Sequence, residues 1–262
     1  MTWTSVWITG GSSGIGRELA IRMARRGIRV AISARSAEAL AQVAASHPGI
    51  TAYPLDVTDR QAAAETAARI AAAQGPIDLA VLSAGIFKPM GAGRFNAETT
   101  AQSMAINYGG ICNALETLIP AMSARGSGQI ALLSSVAGYC GLPKMCAYSP
   151  SKAAVNALAE SLAPELEAKG IVLQLVTPGY IETHMTEGNP LSMPFLMPLD
   201  KAVDALEAGL ARRRFEIVFP WQMAIMMKLY RRASYPLFFW IARTFLTPPP
   251  KRHDGTASSA DV

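Results

Sequence analysis

The chain has 262 residues, half of them hydrophobic, and a formal net charge of +5. That suits one globular unit with a sizeable core, while three cysteines, three histidines and no metal-ligand spacing argue against a disulfide scaffold or a metal site. Of the net charge, +4 falls within residues 217–262, so the near-neutral body offers no broad basic face for nucleic acid.

In chain order, residues 1–5 lack the charged flank and apolar run of a signal peptide, and unpaired thiols suit a cytoplasmic protein. Residues 6–9 read as a first strand. They run into Thr9-Gly10-Gly11-Ser12-Ser13-Gly14-Ile15-Gly16, where a helix over 14–26 begins. Glycines there allow a tight turn and close backbone approach to a pyrophosphate, and the helix N-terminus supplies N–H donors. The spacing is T-G-x-x-x-G-x-G, not the commoner G-x-G-x-x-G. A bare glycine-rich turn is often only a loop. Its position between the first strand and first helix favours a dinucleotide site.

The second strand, 30–33, continues into Ala34-Arg35-Ser36. An NAD site needs a carboxylate here for the ribose 2′-OH. None occurs between Ala31 and Ala37. Arg35 offers a planar charged fork suited to a 2′-phosphate, so NADP(H) is the expected cofactor. The plainer reading of Arg35 is a solvated residue at a strand end. Ser33 and Ser36 either add hydroxyl contacts or simply form the turn.

Further strands are expected at 51–55, 79–83, 130–134, 172–177 and 217–219. Helices are expected at 37–45, 60–73, 100–124, 148–169 and 201–212. Apolar strands separated by helices imply right-handed crossovers and a parallel sheet. The fold class is α/β: a doubly wound, Rossmann-type sheet of about seven strands. A catalytic domain would occupy 1–220, a helical extension 221–247 and a disordered tail 248–262.

Tyr148 and Lys152 stand four residues apart and share one face of the helix expected over 148–169. An ammonium about 4 Å from a phenolate stabilises it by roughly 4 kcal/mol at an effective dielectric near 20. That lowers the tyrosine pKa by about three units and makes a general acid/base near neutrality. Alone, the spacing is usually a solvated helix face. Pro150 lies in the first turn, where a missing N–H costs little.

With its glycine loop and Tyr148-x-x-x-Lys152, the chain resembles the short-chain dehydrogenase/reductase family over about residues 4–220. The resemblance implies that Asp56 and Val57 meet the adenine. Ser83-Ala84-Gly85 stands where the family usually has Asn-Ala-Gly. The serine is a departure that puts the usual bracing of the central sheet in doubt. Pro178, Gly179, Ile181 and Thr183 would lie along the nicotinamide. Ser135 stands thirteen residues before Tyr148, the family's usual distance, and is preferred to Ser134. By the same resemblance Ser135 bonds the substrate oxygen and Tyr148 carries the proton. Lys152 lowers the tyrosine pKa and binds the nicotinamide ribose. Asn107 positions a water leading from Lys152 to solvent. Family members often pair through the long helices, here 100–124 and 148–169, so a homo-oligomer is expected.

Residues 179–199 hold His184, Met185, Met193, Phe195, Leu196 and Met197, either a mobile lid over a hydrophobic substrate or an ordinary packed loop. Cys140 and Cys146 either line the substrate mouth or act as small core residues. In 221–246 the uncharged stretches are too short for a spanning helix. A basic face of Lys228, Arg231 and Arg232, opposite Ile225, Met226 and Leu229, suggests an interfacial helix that Pro236 should break or kink. Membrane-surface contact at the inner face, packing as a dimer or domain-packing arm, and transmembrane insertion are the three readings, in that order of preference. The activity expected is NADPH-dependent reduction of a small-molecule ketone or aldehyde, reversible, on a hydrophobic and lipid-like substrate. A cofactor-binding regulatory module or membrane scaffold without turnover is the other class; the presence of Ser135, Tyr148 and Lys152 favours the enzyme.

Overall fold

Seven short apolar runs form one parallel sheet in a computed structural model that describes residues 3–187 and 193–247. The strands are β1 (Ser5–Thr9), β2 (Arg29–Ser33), β3 (Ile50–Ala52), β4 (Leu79–Leu82), β5 (Gly128–Leu133), β6 (Ile171–Pro178) and β7 (Glu216–Phe219). Their order is β3-β2-β1-β4-β5-β6-β7. Because β1 pairs with both β2 and β4, the order reverses there and leaves a crevice beyond Thr9 and Leu82.

Both faces of the sheet are covered, which explains why its strands read as continuous apolar runs rather than alternating ones. On one face α1 (Gly14–Arg25), α2 (Ala37–Ala45) and α7 (Leu199–Arg212) bury Leu19, Met23, Leu40 and Leu206 against Val6, Ile8 and Ile32. On the other, α3 (Arg60–Gln74), α5 (Gly110–Arg125) and α6 (Tyr148–Glu167) pack Ile70, Leu118 and Val155 against Trp7, Leu82 and Leu132. Each fully buried side chain of this size stabilises the fold by about 1.5–3 kcal/mol before entropy is counted. Ser36 and Asp59 cap α2 and α3 by accepting the backbone N–H of Ala39 and Ala62.

Three expectations change. The strand expected over 51–55 is regular only over Ile50–Ala52. Beyond it, Tyr53 and Leu55 still donate to the carbonyls of Ile32 and Ala34, but Pro54 has no N–H to give. The helix expected over 100–124 is α4 (Ala97–Met104), a π turn (Ala105–Gly109) and then α5. The interruption centres on Asn107, whose side chain is captured by another segment. Pro236 does not break a helix. α8 (Trp221–Arg232) ends first, and Pro236 sits in the opening turn of α9 (Tyr235–Ile241), which runs into a π turn (Ala242–Leu246).

The C-terminal helices are fastened beside the end of β7. Met223, Ala224, Met227 and Tyr230 pack on Val136 and Tyr139, and Tyr230 stacks on Phe238 at 4.2 Å. Lys228 pairs with Glu216, whose other oxygen accepts the Tyr139 hydroxyl. The basic residues were expected opposite Ile225, Met226 and Leu229, but α8 turns a third set of side chains to the body. Ile225, Met226 and Leu229 point outward and share the solvent side with the basic residues. Among the described residues no helix is long and apolar enough to cross a membrane. Residues 248–262, where a disordered tail was expected, lie outside the described residues.

Candidate active site

A cavity of about 700 Å³ opens in the crevice where the strand order reverses. Its size falls within the range of small-molecule and cofactor pockets. It forms because β1 turns at Gly10, whose φ is +72°, directly against the end of β4. A Cβ at Gly10 would lie 2.9 Å from the backbone of Ser83 and Ala84, and one at Gly16 would lie 2.5 Å from the Gly10 carbonyl oxygen. Only glycine admits that approach. Ser13 precedes α1 without capping it, and no acidic residue stands in the first turn. The helix thus keeps N–H donors and a positive end at the cavity, the chemistry a pyrophosphate needs.

The lining includes Gly10, Ser12, Ser13, Gly14, Ile15 and Gly16 in the loop, and Arg35, Asp56 and Val57 beyond it. It continues through Ser83, Ala84, Gly85, Ser135, Tyr148 and Lys152 to Pro178, Gly179, Ile181 and Thr183. Thr183 reaches back to the loop, within 3.4 Å of where a Gly14 Cβ would stand. Asn107 alone among the expected residues lies outside this wall.

Arg35 is exposed at one end. Asp56 accepts the backbone N–H and hydroxyl of Thr58 on a single oxygen, at 2.9 and 2.8 Å. Those bonds hold its carboxyl below the usual range, against burial, with a smaller pull from Arg35. Ser83 answers the doubt about bracing: its hydroxyl donates to the Thr9 carbonyl at 2.5 Å, and Ala84 N–H donates to the Thr9 hydroxyl at 3.2 Å. The two serines of the second turn differ: Ser33 is turned into the core, where it accepts Trp7 Nε1–H, while Ser36 caps α2 and lines the cavity.

The geometry separates Ser134 from Ser135. Ser134 is buried and its hydroxyl is committed to the Lys152 carbonyl and Asn156. Ser135 accepts Ala137 N–H at 3.1 Å and lies close enough to Tyr148 to favour its phenolate. Tyr148 packs its ring edge-on to Phe87 at 5.1 Å. Lys152 Nζ donates to the Leu133 carbonyl at 2.7 Å and stands 5.8 Å from the Tyr148 ring centre.

This placement corrects one electrostatic expectation. Burial pushes the Tyr148 hydroxyl up to about 12, outweighing Ser135, with a further push from Tyr180. Burial also brings Lys152 down to about 8. The expected lowering of the tyrosine is not found: Lys152 Nζ donates to the Leu133 carbonyl, and burial works against the charged form of both groups.

Asn107 is wholly buried. Its Oδ1 accepts Ile86 N–H at 2.8 Å, and its Nδ2 donates to the Ile86 carbonyl at 3.1 Å and to Ser151 Oγ at 2.9 Å. It fastens the loop after β4 to the helix carrying Tyr148 and Lys152. Ser151 and Thr186 were missed from the sequence. Thr186 locks the 181–186 turn by accepting Thr183 N–H and donating to the Ile181 carbonyl. Neither belongs to a motif. His184 and Met185 of the expected lid also line the cavity; residues 188–192 of that segment lie outside the described residues.

The chain as a whole has counterparts among known proteins. The family model described as short chain dehydrogenase matches residues 4–192. An uncharacterized oxidoreductase of Myxococcus xanthus is 35% identical over 247 residues, 93% of this chain and 98% of that protein. An acetoacetyl-CoA reductase of Rhizobium meliloti is 33% identical over 183 residues, 70% of this chain and 76% of its own length. Among solved structures, a short chain dehydrogenase from Burkholderia cenocepacia in complex with NADP is similar with a TM-score of 0.80 at 26% identity, covering 92% of this chain and 98% of that one. This chain belongs to the short-chain dehydrogenase/reductase family of oxidoreductases.

Proposed function

We propose that the protein reduces a hydrophobic ketone or aldehyde to the alcohol using NADPH, and catalyses the reverse oxidation. One observation carries this reading. The Ser135 and Tyr148 hydroxyls stand together, with Lys152 beside them, at one end of a cavity whose other end is Arg35. When bound, the reduced nicotinamide supplies the hydride. Ser135 and Tyr148 direct two O–H donors at the carbonyl oxygen as it gains negative charge, and Tyr148 gives up its proton there. Lys152 binds the ribose hydroxyls and supplies positive charge to the developing phenolate. Asn107 holds the geometry of that helix through its bonds to Ile86 and Ser151.

Arg35, with no carboxylate at the end of β2, supports NADP(H) over NAD(H). The Burkholderia cenocepacia structure, titled as a complex with NADP, agrees with it. A ketone as substrate is consistent with the Rhizobium meliloti relative, which is named a reductase of acetoacetyl-CoA. The apolar side chains Ile86, Ile106, Ile181 and Met185 along the cavity support a hydrophobic chain, lipid-like in the longer case. The reading includes a homo-oligomer paired through α5 and α6, working in the cytoplasm within reach of a membrane's inner face through residues 221–247.

Fluorescence titration with NADPH and NADH, followed by turnover of alkyl ketones of increasing chain length, tests it. NADPH should bind at least about tenfold more tightly, a difference of about 1.4 kcal/mol, and turnover should rise with chain length. Absence of turnover across the panel, with NADPH bound, would point to a silent cofactor-binding module.

A further inference from the structure

The C-terminal helices present a surface that carbonyl reduction does not require. α8 buries Met223, Ala224, Met227 and Tyr230 against the body. Trp221, Ile225 and Leu229, spaced four residues apart, form one line on its outer side. Leu237, Trp240 and Phe245 in the segment that follows are exposed as well, with the Trp240 and Phe245 rings 5.9 Å apart. Trp221 and Leu229 are each 63% exposed and Phe245 65%, so nothing else in the described chain covers them. Residues 221–247 contain Lys228, Arg231, Arg232 and Arg243 and no Asp or Glu. Lys228 is taken by Glu216. Arg231, Arg232 and Arg243 have no carboxylate partner among the described residues.

We propose that this arm docks the protein on an anionic phospholipid bilayer. The Trp221/Ile225/Leu229 line and the aromatic tip enter the boundary between headgroups and acyl chains, and the arginines meet lipid phosphates. Large aromatic side chains interleaved with arginines match that boundary, where one end of a side chain is apolar and the other wet. A second copy fits the same face poorly. An isologous contact would set unpaired arginines against their own counterparts with no acid on either side. α8 packs directly on Val136 and Tyr139, the turn that follows Ser135, so docking would bring the bilayer to the substrate side of the site. This last step rests on the proposed reductase activity and makes the substrate an apolar ketone partitioned into lipid. Docking itself does not depend on that activity.

Full-length protein should co-sediment at low salt with phosphatidylcholine vesicles containing about one-third phosphatidylglycerol, and release at high salt. Each arginine near such a surface contributes about fivefold, so Arg231→Gln/Arg232→Gln/Arg243→Gln should bind about a hundredfold more weakly. Trp221→Ser/Leu229→Ser/Trp240→Ser should lose vesicle binding. All six side chains are exposed and outside the cavity. Both variants should therefore keep wild-type thermal stability, NADPH affinity and turnover of a water-soluble ketone. Wild type remaining in the supernatant with anionic vesicles at low salt overturns the proposal. So does vesicle binding by the aromatic variant equal to wild type, or a wild-type dimer that this variant dissolves without any vesicle binding. Vesicle binding without ketone turnover leaves docking standing and removes the reductase reading instead.

Discussion

Arg35 gives the sharpest test of cofactor choice, because its proposed partner is present in NADPH and absent from NADH. Its side chain ends at an exposed rim of the cavity, beside Asp56. A buried charge-assisted hydrogen bond is worth about 1.5–3 kcal/mol. Exposure and counter-ions weaken it, so about 1.5–2 kcal/mol is the reasonable share here, or about 10–30-fold in affinity. Arg35→Ser should therefore weaken NADPH by that factor and leave NADH within about twofold. Arg35→Lys keeps the charge but loses the planar fork, and should fall between the two. Fluorescence titration reads both cofactors on one sample. Raising the salt should shrink the wild-type preference and leave the Arg35→Ser protein unaffected. Equal loss for NADPH and NADH, or no loss for either, would refute the assignment.

Asn107→Ala removes three hydrogen bonds from a wholly buried side chain and should cost about 2–4 kcal/mol in denaturant unfolding; turnover should fall more than NADPH affinity, because the change loosens α6 rather than the glycine loop. Lys152 has a folded pKa brought down to about 8 from 10.5. The unfolded chain therefore binds more protons between those values, and stability should rise with pH from about 8 to 10; Lys152→Met should remove that slope in pH-dependent unfolding. At Asp78, burial pushes the carboxyl up, but bonds from Thr4 and Ser5 outweigh it and the pKa ends below 3.8. That stabilisation is fully present above 3.8 and is lost as pH falls through the lower folded value. Asp78→Asn should cost about 1 kcal/mol at pH 7, and its gap from wild type should close in strong acid.

The sheet was legible because each buried strand is an apolar run and each crossover helix has its own period. What escaped was set by contacts between distant segments. The π turn around Asn107 exists because Ile86 and Ser151, far away in sequence, use up its amide. No local pattern announces that. The loop, Arg35, Tyr148 and Lys152 could be placed because their chemistry needs particular residue types at particular spacings. The electrostatic setting of Tyr148 was not legible, because spacing brings Lys152 near it but says nothing of burial or of the Leu133 carbonyl that accepts the Lys152 N–H. For α8 the sequence shows an amphipathic helix with two apolar sides. Only packing against Val136 and Tyr139 decides that Met223 and Met227 go inward and Ile225 and Leu229 outward.

Tyr148→Phe tests the central claim most directly. The ring keeps its edge-on contact with Phe87, so only the hydroxyl is lost. In a single-turnover experiment with NADPH and a ketone the wild type reduces, NADPH affinity should stay within about twofold. Reduction should slow by about 10²–10⁴, the usual contribution of a positioned general acid. Reduction at the wild-type rate would show that the proton comes from elsewhere and that Tyr148 is not the acid of this site.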